Sequence, residues 1–449
     1  MGLLNIMQSV WLFIILFYVY GMETSFIKFF IDAKDVVEKK EIYSTSLILI
    51  TLTSVIFSVV LLTAGSKLTF LFKFEDPAEA NSLYNVLCYL LFFDALSRFP
   101  LLLLRAELKA NSYLLLNFIS VIINIVSNIL LIVYFKAGIL SIFYSYIISV
   151  LISFILGLVI TKQYLQFSFN FIKAKALIKY GNKFIYIGVF LLLIDISDRF
   201  FLKYFCDEAT VGIYSASYKL TSVMSLIIAA FKFSWTPYFL NISKDPENKS
   251  IISNIFTYFI FTGLLLFLIF AFFTEPIAKI NIAGISILDS RYQPGLIIVP
   301  VILLSYLFSG IYAILNAVPF FKDKTSYLFI VSAIGVLVNF ILNYLLIPKF
   351  TIMGAAYATL LTYLIMSIIL FFITQNIYKI EYSLLKIFGL FITAFLIYFA
   401  KILVLDNFEI NNIYLILLQF ILVVLYLCII QLTGILELKK VKLIFNRSS

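Results

Sequence analysis

The chain has 449 residues, 63% of them hydrophobic and 12% charged, with a net charge of +10 and a mean hydropathy of +1.10. Soluble domains are roughly 45–50% apolar and about 25% charged, so this composition excludes a water-soluble globular protein and makes lipid the solvent. Histidine is absent and Cys88, Cys206 and Cys428 stand far apart, which excludes imidazole metal sites and proton relays, Ser-His or Cys-His catalysis, a disulfide framework and a CxxC metal site.

A bilayer core takes about 20 apolar residues per helix. Runs of that length occur near 3–22, 42–65, 83–104, 112–134, 138–161, 184–203, 211–239, 251–278, 294–318, 326–347, 353–376, 384–401 and 411–434, which predicts an all-α integral membrane protein of about thirteen spans. The longest joint, "TKQYLQFSFNFIKAKALIKYGNK", separates five spans from eight. The expected organisation is an N-terminal lobe of about five spans (1–162), a cytoplasmic linker (163–183), a C-terminal lobe of about six (184–376), and two extra spans with a basic cytoplasmic tail (377–449). The first apolar run has no basic start and does not read as a cleaved signal peptide.

The positive excess reads as topology rather than as a nucleic-acid surface, because no polar segment is long enough to form a soluble basic domain. With the joint at 23–41 cytoplasmic, twenty-one of the 33 Lys and Arg residues fall on that side and eight on the other. The positive-inside rule then places the C-terminus in the cytoplasm. An odd span count leaves Met1 outside, so one further helix is expected upstream.

Charges inside spans are costly and mark pathways or partners. Glu23 closes the first span, with a ligand role and a structural role equally open. In "LLFFDALSRFPLLLLRAE" Asp94 and Arg98 stand i,i+4 at mid-depth and share a helix face, and Arg105 follows at the cytoplasmic end, where it either sets topology or meets ligand. In "LLLIDISDRFFLKYF" the same spacing joins Asp195 to Arg199, with Asp198 between them. Asp195 is expected ~16 Å into its span by helix rise, holding Arg199 in place. Lys219 lies ~12 Å below the outer surface on the same reckoning, and Lys232 either faces a cavity or snorkels to the interface.

Two segments repeat. "KANSYLLLNFISVIINIVSNILLIVYFKAG" and "KTSYLFIVSAIGVLVNFILNYLLIPKFTIMG" share Ser-Tyr-Leu and an Asn-x-x-x-Asn pair, Asn124/Asn128 and Asn339/Asn343. Weak internal symmetry of this kind is a sign of transporters, and the asparagines read mainly as interhelical hydrogen bonds. Arginine at depth suits phosphate oxygens through its planar fork, so a partly cationic, wet cavity for an anionic lipid headgroup is expected. Arg98, Arg105, Arg199, Lys219 and Lys232 are its candidate ligands. Glu23, Asp94, Asp195 and Asp198 are candidates for ion pairing or for H+ or Na+ coupling. No metal site or cofactor is expected.

"YGMETSFIKFF", "LLLLRAELKANSYLLLN", "DRFFLKYFCDEATVGIYSASYKL" and "VNFILNYLLIPKFTIMGAAYATLLTYLI" resemble the polysaccharide-transporter branch of the multidrug/oligosaccharidyl-lipid/polysaccharide (MOP) exporter superfamily. The resemblance implies two pseudo-repeated lobes of MATE-like architecture, normally six helices each, so the first helix of the family is missing from the first lobe. It implies a monomeric flippase of the bacterial inner membrane that moves undecaprenyl-pyrophosphate-linked oligosaccharide repeats by alternating access, in contact with membrane lipid and with polysaccharide polymerase machinery. It gives Asp198, Arg199 and Lys219 their family positions in the second lobe, and Arg105 its place after the fourth helix. A proline that often opens the span at 184–203 in the family is replaced here by "YGNKF". The alternatives are a cation-coupled multidrug exporter of the same superfamily, a lipid II flippase, and, ranked last because the external joints are short, a membrane polysaccharide polymerase.

Overall fold

The computed structural model describes residues 11, 13–68, 77–136, 138, 140–282, 285–286, 288–407 and 412–434. The first residues of the predicted 3–22 span, part of the 66–82 joint and the basic tail after 434 lie outside them. The chain divides into two compact units, Met1–Val189 and Phe190–Ser449. In lipid every backbone N–H and C=O must be satisfied within the segment, which leaves the apolar runs no structure but helix.

In the first unit, residues 13–19 are helical and lead through Tyr20 and Gly21 into α1 (Met22–Asp32). There follow α2 (Val36–Leu68), α3 (Pro77–Ala106), α4 (Ala110–Val133), α5 (Leu140–Thr161), a 3-10 turn (Lys162–Tyr164) and the start of α6 (Phe171–Phe205). The predicted end of the first span is corrected. Gly21 takes φ +73, and a Cβ there would stand 2.0 Å from the Gly181 carbonyl oxygen, so the glycine turns the chain under close backbone contact between two helical segments of one apolar stretch. The apolar span therefore runs Phe13–Asp32 and carries Glu23 within it rather than at its inner end.

Helix α3 is the centre of this unit: its span is 72% buried, against 6% for α4, which is left to face lipid. On α5, Ser141, Ser145, Ser149, Ser153, Gly157 and Thr161 recur every fourth residue and all are buried. A stripe of small residues lets helices approach closely, and a Cβ on Gly157 would lie 2.6 Å from the Cβ of Pro100 on α3. The hydroxyls return to their own helix, as in Ser145 Oγ to Ser141 O at 2.6 Å and Thr161 Oγ1 to Gly157 O at 2.8 Å.

The second unit holds the end of α6, then α7 (Glu208–Leu220), α8 (Ser222–Ile242) and α9 (Asn248–Ala278). A two-stranded ladder (β1 Asn281–Ile282, β2 Ile285–Ser286) and a 3-10 segment (Ser290–Ile298) lead into α10 (Val299–Leu315) and α11 (Ala317–Phe321). Helices α12 (Ser326–Ile377), α13 (Leu384–Asn407) and α14 (Asn412–Leu432) complete it. Helix α7 is capped by Asp207, which accepts from Thr210 N at 2.7 Å. The predicted span at 211–239 is two helices: at Thr221 the backbone sits at φ −81, ψ −4 and the hydroxyl donates to Tyr218 O at 2.6 Å. Leu202, Tyr214, Ile298, Ile302, Ile347, Ala355 and Ala356 form a fully buried cluster.

The stretch α12 folds back on itself as a helical hairpin. Its 52 residues would reach about 78 Å if straight, more than twice the ~30 Å hydrocarbon core. Thr351 breaks it at φ 49, ψ −123, and the halves lie side by side: Asn339 Nδ2 donates to Thr362 Oγ1 at 3.3 Å, 23 residues away. Among the described residues eleven helical segments are long and apolar enough to cross a membrane. Opening the α12 hairpin adds one span, and α6, 35 residues long but bearing buried charges, adds another. The thirteen expected spans are thus accounted for in an all-α, multi-pass membrane protein.

Candidate functional site

In the first unit Arg98 is the hub. Its Nη1 donates to Glu23 Oε1 at 2.7 Å, while Nε and Nη2 donate to Asp94 Oδ1 and Oδ2 at 3.3 and 3.2 Å. The last two bonds are the fork-to-carboxylate geometry that the i,i+4 spacing predicts. The bend at Gly21 is what brings Glu23 into range. Trp11 Nε1 also donates to Asp94 Oδ2 at 3.1 Å, and its ring meets Tyr146 edge-on at 4.8 Å. Asp94 is buried, but a third of the Arg98 side chain stays exposed. Half-buried Arg105 interacts electrostatically with Glu23 and Tyr113. Two acids and two bases therefore share one neighbourhood.

The second unit departs from the expected pairing. The carboxylate of Asp195 does not hold Arg199. It accepts from the Tyr363 hydroxyl at 2.8 Å, and only the backbone carbonyl of Asp195 accepts from Arg199 Nη1, at 2.7 Å. Arg199 pairs instead with its neighbour Asp198, whose Oδ1 receives the Arg199 backbone N–H at 2.8 Å and Nη1 at 3.3 Å. The other oxygen of Asp198 accepts from the Tyr214 hydroxyl. The physical reason is aromatic: the guanidinium carbon lies 4.8 Å from the Tyr218 ring centre and 6.0 Å from that of Tyr214. Stacking on those faces turns the head away from the Asp195 carboxylate.

Asp195 is exposed, and Tyr218, Tyr306 and Lys232 interact with its charge. Lys232 on α8 does not snorkel: its Nζ donates to Ser309 Oγ on α10 at 2.6 Å. Lys219 stands apart, exposed on α7 and without an ion pair among the described residues. The expected cationic excess thus does not reside in Arg98 and Arg199, which are ion-paired; among the described residues Lys232 and Lys219 make no salt bridge, and Lys232 meets Asp195 only through its charge.

Beneath this site, Ser197 Oγ donates to Asn339 Oδ1 at 2.5 Å and Asn343 Nδ2 to the same oxygen at 3.0 Å. Interhelical bonding by the asparagines therefore holds in the second unit. In the first, Asn128 Oδ1 is buried with no partner among the described residues. Residues that sequence reasoning passed over are Trp11, Tyr146, Tyr214, Tyr218, Tyr306, Tyr363 and Ser309. The i,i+4 pair Tyr214/Tyr218 beside Lys219 was a readable signal; the others gather only through topology.

The model of one family, described as polysaccharide biosynthesis protein, matches residues 1–243, more than half of the chain. No curated protein matches. Among solved structures, a MATE transporter of Vibrio cholerae (VcmN) superposes with a TM-score of 0.71 at 15% identity over 84% of this chain and 89% of that one. An outward-facing multidrug resistance MATE family transporter of the MOP superfamily gives 0.69 at 14%, over 87% and 88%. A MOP superfamily transporter from Pyrococcus furiosus, whose reverse pocket polarity is said to suggest a different function, gives 0.67 at 15%, over 87% and 87%. With the MATE transporter fold shared along most of its length and the family model matched over residues 1–243, more than half of it, the chain belongs to the polysaccharide biosynthesis protein family.

Proposed function

We propose that this transporter is a flippase carrying undecaprenyl-pyrophosphate-linked oligosaccharide repeat units across the bacterial inner membrane by alternating access, for O-antigen, capsule or exopolysaccharide synthesis. The observation that carries the reading is the state of Arg98 and Arg199. Each is ion-paired within a spanning helix, yet a third of each side chain is still exposed. A purely structural pair in a lipid-packed protein has every reason to be occluded. Among the described residues Arg199 makes its hydrogen bonds through Nη1 and its backbone N–H, so Nε and Nη2 are offered to phosphate oxygens in a planar fork.

In the second unit Lys232 and Lys219 supply further positive charge for the pyrophosphate, in the first unit Arg105 does the same beside Arg98, and the lipid tail stays in the bilayer. Glu23, Asp94, Asp195 and Asp198 hold the arginines and offer carboxylates for H+ or Na+ coupling. The working unit is a monomer, its C-terminus in the cytoplasm, handing repeats to a polymerase in the outer leaflet. The lobes are 1–162 and 184–376, joined by the linker 163–183.

One observation favours a second reading, a cation-coupled multidrug exporter: Asp195 is an exposed carboxylate among tyrosines, an environment that suits an organic cation. The experiment is leaflet accessibility in a deletion strain, with an impermeant glycan-cleaving enzyme added to spheroplasts. Single lipid-linked repeats that accumulate protected on the inner face, and clear on complementation, support the flippase. Accumulation on the outer face points to a polymerase, accumulated lipid II to a lipid II flippase, and no accumulation to drug export.

A further inference from the structure

Away from the arginines, the second unit has a cavity of about 410 Å³ at the end of α9, beside the 3-10 segment and the last turns of α13. Its charged lining residues are Glu275, Lys279 and Lys401. Lys279 is neutralised by Glu275, four residues back on α9, at 2.7 Å. Lys401 is not. It is 6% exposed, and among the described residues no oxygen lies within ion-pair or hydrogen-bond range of its ammonium. Its neighbour is the Phe272 ring, 5.4 Å away.

A lysine buried to this degree is normally paired, because an ammonium out of water needs acceptors around it. An aromatic face offsets part of that cost and fills none of the three N–H donor positions. Gln293 and Tyr398 bring neutral polar groups to the same cavity, so the site holds donors around a net single positive charge. Ile297, on the wall, is 61% exposed, which gives one side an apolar rim. Lys401 lies about 9 Å of helix rise from the end of α13, at the depth where a bilayer changes from hydrocarbon to headgroups.

We propose that this cavity is an anion site that takes a phosphate group, with Lys401 as its principal ligand and Lys279 as its second. On the orientation expected from the Lys/Arg distribution it opens to the outer leaflet, and none of its lining residues belongs to the Arg199 site. The phosphate comes either from a phospholipid headgroup, whose acyl chain would lie against the Ile297 rim, or from solution.

The test is thermal shift and native mass spectrometry on the purified full-length protein, titrated with dioleoyl phosphatidylglycerol, with dioleoylglycerol (the same tails without phosphate) and with inorganic phosphate. Stabilisation by phosphatidylglycerol alone assigns the site to a headgroup, and stabilisation by inorganic phosphate as well assigns it to a free anion. Lys401→Met is expected to fold with an unchanged or higher Tm, since it removes an unpaired buried charge, and to weaken phosphate-dependent binding about tenfold. Glu275→Gln keeps Lys401 and removes the competing carboxylate, so it is expected to bind more tightly. Equal response of the three proteins, or no greater response to either phosphate probe than to dioleoylglycerol, overturns the proposal.

Discussion

The phenolic hydroxyl of Tyr214 donates to the carboxylate of Asp198, and neither residue has exposed surface. The bond ties α7 to α6 beside the guanidinium of Arg199. Tyr214→Phe deletes the donor and leaves a buried carboxylate oxygen short of one partner, which costs about 1–3 kcal/mol. Thermal unfolding in detergent reads this directly. Adding Asp198→Asn to Tyr214→Phe is expected to cost less than the sum of the single changes, because both act on one contact.

Arg98 answers two carboxylates, so removing it exposes them to each other. For a hub one third exposed, Arg98→Ala is expected to destabilise by about 2 kcal/mol, between the ranges for exposed and buried pairs. Asp94→Asn in the same chain restores part of the loss, since fewer charges are then left unanswered. A double variant no more stable than Arg98→Ala would show that Asp94 is answered by Trp11 instead.

Lys232 separates transport from folding. Its ammonium bonds to a neutral hydroxyl, and Asp195, whose charge it feels, is hydrogen-bonded by Tyr363 instead, so Lys232→Met leaves no hydrogen-bonded anion without its partner. Loss of a charge-assisted bond to substrate, about 1.5–3 kcal/mol, corresponds to tenfold or more in transport. Complementation of the deletion strain is expected to fall by that factor at unchanged protein abundance, with Ser309→Ala much milder. Full complementation by Lys232→Met would remove this lysine from the binding set.

The cap of α7 predicts a pH response outside the membrane. The Thr210 backbone N–H holds the Asp207 carboxyl below the usual carboxylate range. A depressed folded value means that the cap stabilises above the unfolded value, about 3.9, and that this contribution is lost as pH falls through the folded value. Asp207→Asn keeps the cap and is expected to flatten that acid limb of the Tm–pH curve while leaving neutral pH nearly unchanged.

What was legible from the sequence follows what lipid enforces. Thirteen runs and the Asp94–Arg98 pair could be read because continuous apolar runs of about 20 residues cross a bilayer as helices and because i,i+4 groups share a face. The continuation of the first span past Gly21 and the break at Thr221 could not, since the Gly181 backbone that Gly21 meets comes from far along the chain and apolar composition does not change across Thr221. The reversal at Thr351 could, because it falls in the joint between the predicted spans 326–347 and 353–376. The same spacing rule misassigned Asp195 and Arg199: adjacency on a helix is permissive, and Tyr218 and Tyr363, from other helices, decide where each head points. Trp11 and Tyr306 belong to the sites only through tertiary packing, which aromatic content alone cannot announce.

The reversal at Thr351 also bears on how the protein is made. Asn339 and Asn343 are amides that an isolated helix would have to carry bare into hydrocarbon. Asn343 bonds to Asn339, and Asn339 to Thr362 on the returning half, so two of their contacts exist before any other helix arrives. The two halves can leave the translocation machinery together as a helical hairpin with part of its polar demand already met, and Ser197 of α6 joins that network only when the second unit assembles around it.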